Sequence, residues 1–139
     1  MDQVDDGLSD SDVREILNLK NIAVVGMSRT PGKAAHDVPR YLMSHGYNVI
    51  PINPNADQIM GLRAFPSLTD VSKSVDLINI FRPSKDIPQV IGPAIAKNPL
   101  AIWLQLDIHH KQSEDIARKK GIKIVYNRCI MIEHERLMR

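Results

Sequence analysis

Ile22-Ala23-Val24-Val25-Gly26-Met27-Ser28-Arg29-Thr30-Pro31-Gly32-Lys33 is the stretch that decides the fold. Its first four residues are continuously apolar, the pattern of a strand covered on both faces. The strand runs straight into a turn of small residues that carries two cations, Arg29 and Lys33. That layout matches the first strand and phosphate loop of a nucleotide-binding α/β domain. It is not the dinucleotide fingerprint, however. With Gly26 as the first glycine of G-x-G-x-x-G, the second position holds Ser28 and the third Pro31.

Working outward, four further short apolar runs follow: Asn48 to Ile52, Val75 to Phe81, Leu100 to Leu106 and Ile122 to Tyr126. The segments between them have helical spacing. Ala35 to His45 places Val38, Tyr41 and Leu42 on one stripe, with Gly46 as a C-terminal stop. Ser84 to Lys97 carries Ile87, Val90, Ile91 and Ile95 on one face, with Ser84 as the expected cap and Pro93 as an expected kink. Lys111 to Lys120 closes at Gly121, and an acidic helix over about Ser9 to Asn18 precedes everything. Strands alternating with helices predict parallel βαβ units, here an α/β, doubly wound, mainly parallel five-stranded sheet with helices on both faces. The whole chain, 1–139, reads as one domain: an acidic helix and lead-in over 1–20, then the core over 21–139. Asn53 to Ser74 is the longest irregular segment and leaves from a strand's carboxyl end, where functional loops concentrate.

Composition narrows the function classes. A hydrophobic content of 43% and a charged content of 24% describe a globular protein with a real core. The net charge of +2 supplies no basic field for neutralising a nucleic-acid backbone. Cys129 is the only cysteine, which excludes a disulfide framework and an all-cysteine metal site. No apolar run approaches the roughly 20 residues needed to span a bilayer. The acidic residues from Met1 to Asp12 are the opposite of a targeting peptide, so a cytoplasmic location is expected.

Open parallel sheets bind ligands at the carboxyl ends of their strands, near the point where strand order reverses. Those ends are therefore where candidate chemistry is expected. After the first strand, Gly26 allows close backbone approach, Met27 and Ser28 form the turn, and Ser28 adds a hydroxyl. Arg29 and Lys33 bring charge to the start of the next helix, whose N–H groups can hold an oxyanion. The second strand ends Ile52-Asn53-Pro54-Asn55, without the Asp or Glu that normally bonds ribose hydroxyls in a dinucleotide site. Asn53 can bond neutrally and the Pro54 ring can pack on a flat base; the same tripeptide is also ordinary turn chemistry. The third strand ends Phe81-Arg82-Pro83, an aromatic and a cation suited to a base and its phosphate. In the fourth, Gln105 follows Trp103-Leu104 as a candidate cleft donor.

Taken together, Ile22 to Pro31, Val49 to Asn55, Val75 to Pro83, Ile102 to Leu106 and Asn127 to His134 resemble the small stand-alone coenzyme A-binding domain proteins. These are relatives of the coenzyme A-binding domain of succinyl-CoA synthetase α subunits and of acyl-CoA synthetases. The resemblance implies a Rossmann-like fold and coenzyme A, or an acyl-CoA, as the small-molecule ligand. It places the phosphates over Gly26 to Lys33 and the nucleotide along Asn53-Pro54 and Phe81-Arg82. One departure stands out: the family's Asp-Arg-Cys reads Asn127-Arg128-Cys129 here, which weakens the expectation of a charge pair with Arg128.

No catalytic machinery is evident, and a non-catalytic binding protein is the expectation. His36 lies near the loop, His109-His110 falls at a strand–helix junction, and His134 is expected on a charged helix face. None shows metal-ligand spacing with a carboxylate. Cys129 reads as a buried apolar cysteine, or as a thiol near enough to the ligand to form a mixed disulfide with it. Two other readings stay open. One is an NAD(P)-binding enzyme or redox sensor, which the missing acid after Ile52 opposes. The other is an interaction or regulatory subunit with a vestigial pocket, which an apolar oligomer interface on Arg128 to Met138, in a homo-oligomer, would support.

Overall fold

A computed structural model describes residues 6–138. Helix α1 (Asp10–Leu17) leads into strand β1 (Asn21–Val25), helix α2 (Ala34–Ser44) and strand β2 (Asn48–Ile52). A small antiparallel hairpin of β3 (Gln58–Ile59) and β4 (Leu62–Arg63) follows. The chain then alternates through β5 (Leu77–Ile80), α3 (Ile87–Ala96), β6 (Ala101–Leu104), α4 (Lys111–Lys119), β7 (Lys123–Val125) and α5 (Ile130–Leu137).

The main sheet has the order β2-β1-β5-β6-β7, and all four pairings are parallel. Strand order reverses between β1 and β5, so the crevice forms at the carboxyl ends of those two strands. A single parallel bridge from Ile52 to Phe65 extends the sheet beyond β2. There the Phe65 N–H donates to the Pro51 carbonyl and the Asn53 N–H to the Phe65 carbonyl, both at 2.9 Å. Counting that bridge, the order is the 3-2-1-4-5-6 of the dinucleotide-binding folds, its third strand shrunk to one residue.

The pleat sorts the apolar residues between two layers. Ile22, Val24, Leu77, Trp103 and Val125 pack with Leu17 of α1, Leu42 of α2 and Ile130 of α5. Ala23, Ile78, Ile80, Ile102 and Ile124 pack on the other side with Ile87 and Ile91 of α3 and Ala117 of α4. Both layers are buried, which explains why the strands read as continuous apolar runs. Helix boundaries follow local chemistry. Ser9 caps α1 in a capping box with Asp12. Gly46, at φ +87°, follows the end of α2, and Gly121, at φ +81°, follows α4.

Three local expectations change. Ser84 does not cap a helix with its side chain; it opens a 3-10 turn ahead of α3. Its hydroxyl instead accepts the His109 N–H at 3.0 Å and donates to the Asp107 carbonyl at 3.4 Å, joining the ends of β5 and β6. The irregular stretch from Asn53 to Ser74 contains the β3–β4 hairpin and a 3-10 turn over Leu68–Asp70. His134 is not on a charged surface. It lies one turn after Ile130 on the inward stripe of α5, is 6% exposed, and is hydrogen-bonded to the Tyr41 hydroxyl at 2.7 Å. Burial, with His45 and Lys20 nearby, lowers its pKa. Tyr47 shares this cluster, donates to the Leu17 carbonyl, and has its pKa pushed up to about 12 by burial.

Candidate functional site

The site is built where β1, β2 and β5 end together. Gly26 has φ +83°, and a Cβ there would stand 3.0 Å from the Phe81 carbonyl oxygen and 3.3 Å from Arg82 Cδ. The glycine is required by a neighbouring strand as well as by its own turn. Its N–H donates to the Ile52 carbonyl at 3.0 Å, and the Phe81 N–H donates to the Val25 carbonyl at 2.8 Å. Asn53 completes the junction: its Nδ2 donates to the Met27 carbonyl at 2.8 Å, and its Oδ1 accepts the Asn55 N–H at 2.7 Å. The tip of β2 is thereby fastened to the loop after β1.

That loop closes on itself. Ser28 Oγ accepts the Thr30 N–H at 3.0 Å, and the Ser28 carbonyl accepts from Nδ1 of the buried His36 at 2.8 Å. Asp37 Oδ1 accepts the Gly32 N–H at 3.2 Å. No side chain caps α2 at Lys33, so the first N–H groups of that helix face the loop. Arg29 and Lys33 are exposed and enter no ion pair with the described residues. The Met27 side chain is wholly buried in the core, so only its main chain is offered to a ligand.

Beside the loop lies a cavity of about 370 Å³. Four of the residues expected from sequence line it: Gly26, Asn53, Pro54 and Arg82. Asn55, the turn Pro66-Ser67-Leu68, and Gln89, Val90 and Pro93 of α3 also line it, with the strand ends Val25 and Ile52. Sequence reading missed the α3 residues, although Gln89, Val90 and Pro93 share a helical stripe that leads from the expected site. Arg82 pairs with Asp86 at 2.7 Å across one turn, so its charge is already partly met. Phe81 is half-buried and packs with the α2–α5 layer, away from this cavity. Pro83 is exposed at the start of the 3-10 turn, and neither it nor Phe81 lines the cavity.

Gln105 serves a different place. It is 4% exposed, and its Oε1 accepts from Asn79 Nδ2 at 3.1 Å and from the Ile130 N–H at 3.0 Å. It thus fixes the start of α5 to the ends of β5 and β6. Cys129, partly exposed, is the N-cap residue of that helix. Asn127 adopts φ +55°, a conformation Asn tolerates, and its Oδ1 accepts the Asp107 N–H at 2.7 Å. The charge of Arg128 is met from elsewhere, by Asp6 at 2.8 Å and Glu133 at 3.4 Å. His110 caps α4 by accepting the Ser113 N–H, and His109 pairs with the buried Glu114 at 2.6 Å. Among the described residues, no group of three or more His, Cys, Asp and Glu side chains is placed to hold a metal ion.

Comparison with known proteins decides the family. The family model described as CoA binding domain matches residues 20–135. The chain belongs to the CoA-binding domain family. It is 31% identical over 127 residues to the uncharacterized protein YneT of Bacillus subtilis, covering 91% of this chain and 94% of that one. It is also 31% identical over 125 residues to an ADP-forming acetate–CoA ligase, form II, of Archaeoglobus fulgidus, but there it spans only 19% of the relative's length. Among solved structures, a hypothetical protein from Pyrococcus horikoshii OT3 superposes with a TM-score of 0.95 at 36% identity, covering 100% of this chain and 99% of that one. The Rossmann-like α/β fold of this CoA-binding domain is thus supported by topology and likeness together. No helix among the described residues is long and apolar enough to cross a membrane.

Proposed function

We propose that this CoA-binding domain holds coenzyme A, or an acyl derivative, across the carboxyl ends of β1, β2 and β5 as a binding module without catalytic machinery of its own. The phosphates lie against the uncapped start of α2, with Arg29 and Lys33 supplying charge; the nucleotide end enters the cavity between Pro54 and α3. The observation that carries this reading is the conjunction at the tips of β1 and β2. Two cations without ion pairs and an uncapped helix start belong to the loop that Asn53 fastens to the β2 tip of Asn53, Pro54 and Asn55. A carboxylate at that tip would favour an unphosphorylated ribose and repel a 3′-phosphate; neutral carboxamides do not. The chain spans only 19% of the archaeal ligase's length, so the ligation in that relative's name is not part of this reading.

Calorimetric titration with coenzyme A, dephospho-coenzyme A, NAD and NADP tests the reading. The expected result is saturable binding of coenzyme A, weaker binding of the dephospho form, and the weakest response to NAD. Tight NAD binding with no response to coenzyme A would overturn it and restore a dinucleotide site.

A further inference from the structure

The cavity beside the loop has polar side chains on both walls, and their partners sort them. Asn53 spends its amide on Met27 and Asn55. Ser67 Oγ is bonded to Thr69 at 2.7 Å and Asp70 at 2.9 Å. Arg82 is paired with Asp86. Of the polar residues lining the cavity, Asn55 and Gln89 remain, and their side-chain amides make no hydrogen bond among the described residues. They come from different elements of the cavity lining. Asn55 follows the tip of β2, beside the position from which a ribose is held in folds of this order. Gln89 belongs to the first turn of α3 and lines the cavity together with Val90 and Pro93 of the same helix. The cavity thus combines the apolar side chains of Pro54, Val90 and Pro93 with one free carboxamide on α3.

A carboxamide presents a donor and an acceptor side by side. Adenine presents the complementary pair, the 6-amino donor next to the N7 acceptor; a 6-oxo purine presents two acceptors instead. We infer that Gln89 reads the purine edge of the bound nucleotide and makes this cavity selective for adenine over 6-oxo purines. The inference deepens the coenzyme A reading above and rests on it.

The test compares coenzyme A with its hypoxanthine analogue, in which the 6-amino group is replaced by a 6-oxo group, on the wild-type chain, Gln89→Ala and Asn55→Ala. Gln89 and Asn55 are both exposed, so neither variant disturbs the core; circular dichroism confirms the fold. Wild type should prefer coenzyme A by about tenfold, the lower part of the range for one bidentate base contact. Gln89→Ala should bring the ratio of the two affinities close to one, whereas Asn55→Ala should keep it. A preference retained in Gln89→Ala, or lost in Asn55→Ala alone, overturns the assignment of Gln89. A wild type that binds both ligands equally overturns it as well and leaves the coenzyme A reading standing. A wild type that binds neither overturns both.

Discussion

Gly26 and Gly32 form a matched pair for asking what the first glycine of the loop does. Both have positive φ, +83° and +94°. A side chain at either position therefore carries the left-handed backbone strain, about 1–2 kcal/mol for a non-glycine residue. They differ in surroundings: a Cβ at Gly32 meets nothing within 4 Å, whereas one at Gly26 meets the Phe81 carbonyl at 3.0 Å. That oxygen cannot easily retreat, because the Phe81 N–H is bonded to the Val25 carbonyl. Relief must come from parting the ends of β1 and β5, an overpacking cost of about 1–3 kcal/mol. Gly26→Ala should therefore be less stable than Gly32→Ala by that second amount. In urea, with a slope of about 2 kcal/mol/M, the midpoint should lie about 0.5–1.5 M lower. Ligand affinity should fall with it, since the strained junction is the cavity's own floor. Equal midpoints for the two variants would refute the reasoning, because the strain shared by both would then account for the whole effect.

Arg29→Ala and Lys33→Ala should each weaken coenzyme A binding more at low salt than at high salt, since exposed phosphate contacts are screened; calorimetry at two ionic strengths measures it, and unchanged affinity in both variants would move the phosphates elsewhere. Asp86→Asn removes the carboxylate that competes for Arg82, and coenzyme A should bind up to about fivefold more tightly, the reach of an exposed pair. A weaker complex in that variant would mean that Asp86 positions Arg82. His134 is held neutral by burial, with its pKa lowered in the folded state. The unfolded chain therefore takes up its proton first, and stability should fall as pH drops below the unfolded value of about 6.5. Thermal melts between pH 7 and pH 5 should show a shallower decline for His134→Asn than for wild type, and parallel declines would argue against the histidine.

What could be read from the sequence was local. Strand β2 occupies the predicted residues, and Gly46 and Gly121 end their helices for the backbone reason anticipated. That Asn53 and Arg82 follow strand ends was legible from alternation, whereas the strand order, and with it the switch point between β1 and β5, was not. What escaped was set by packing between distant segments. Arg128 meets Asp6 from 122 residues away, so the loss of an acid at position 127 did not leave it unpaired. His134 is buried because α5 lies on α2, which no property of the sequence Glu133-His134-Glu135 discloses. Gln89 reads as one more polar residue on a helix until α3 is seen to form the far wall of the cavity.

The broken glycine fingerprint can now be explained position by position. In dinucleotide folds the first glycine makes the tight turn, the second lets backbone approach the pyrophosphate, and the third lets the helix pack closely on its strand. Only the first is kept, and the structure gives a reason independent of the ligand: a Cβ at Gly26 would crowd the Phe81 carbonyl oxygen at 3.0 Å. At the second position, Ser28 turns its hydroxyl to the Thr30 N–H and its carbonyl to His36, so the loop is stiffened from within. At the third, Pro31 precedes a helix that begins only at Ala34, too far along for close packing to demand glycine there. If phosphate binds as proposed, such a loop would lose little conformational entropy on taking it up, which favours affinity through preorganisation.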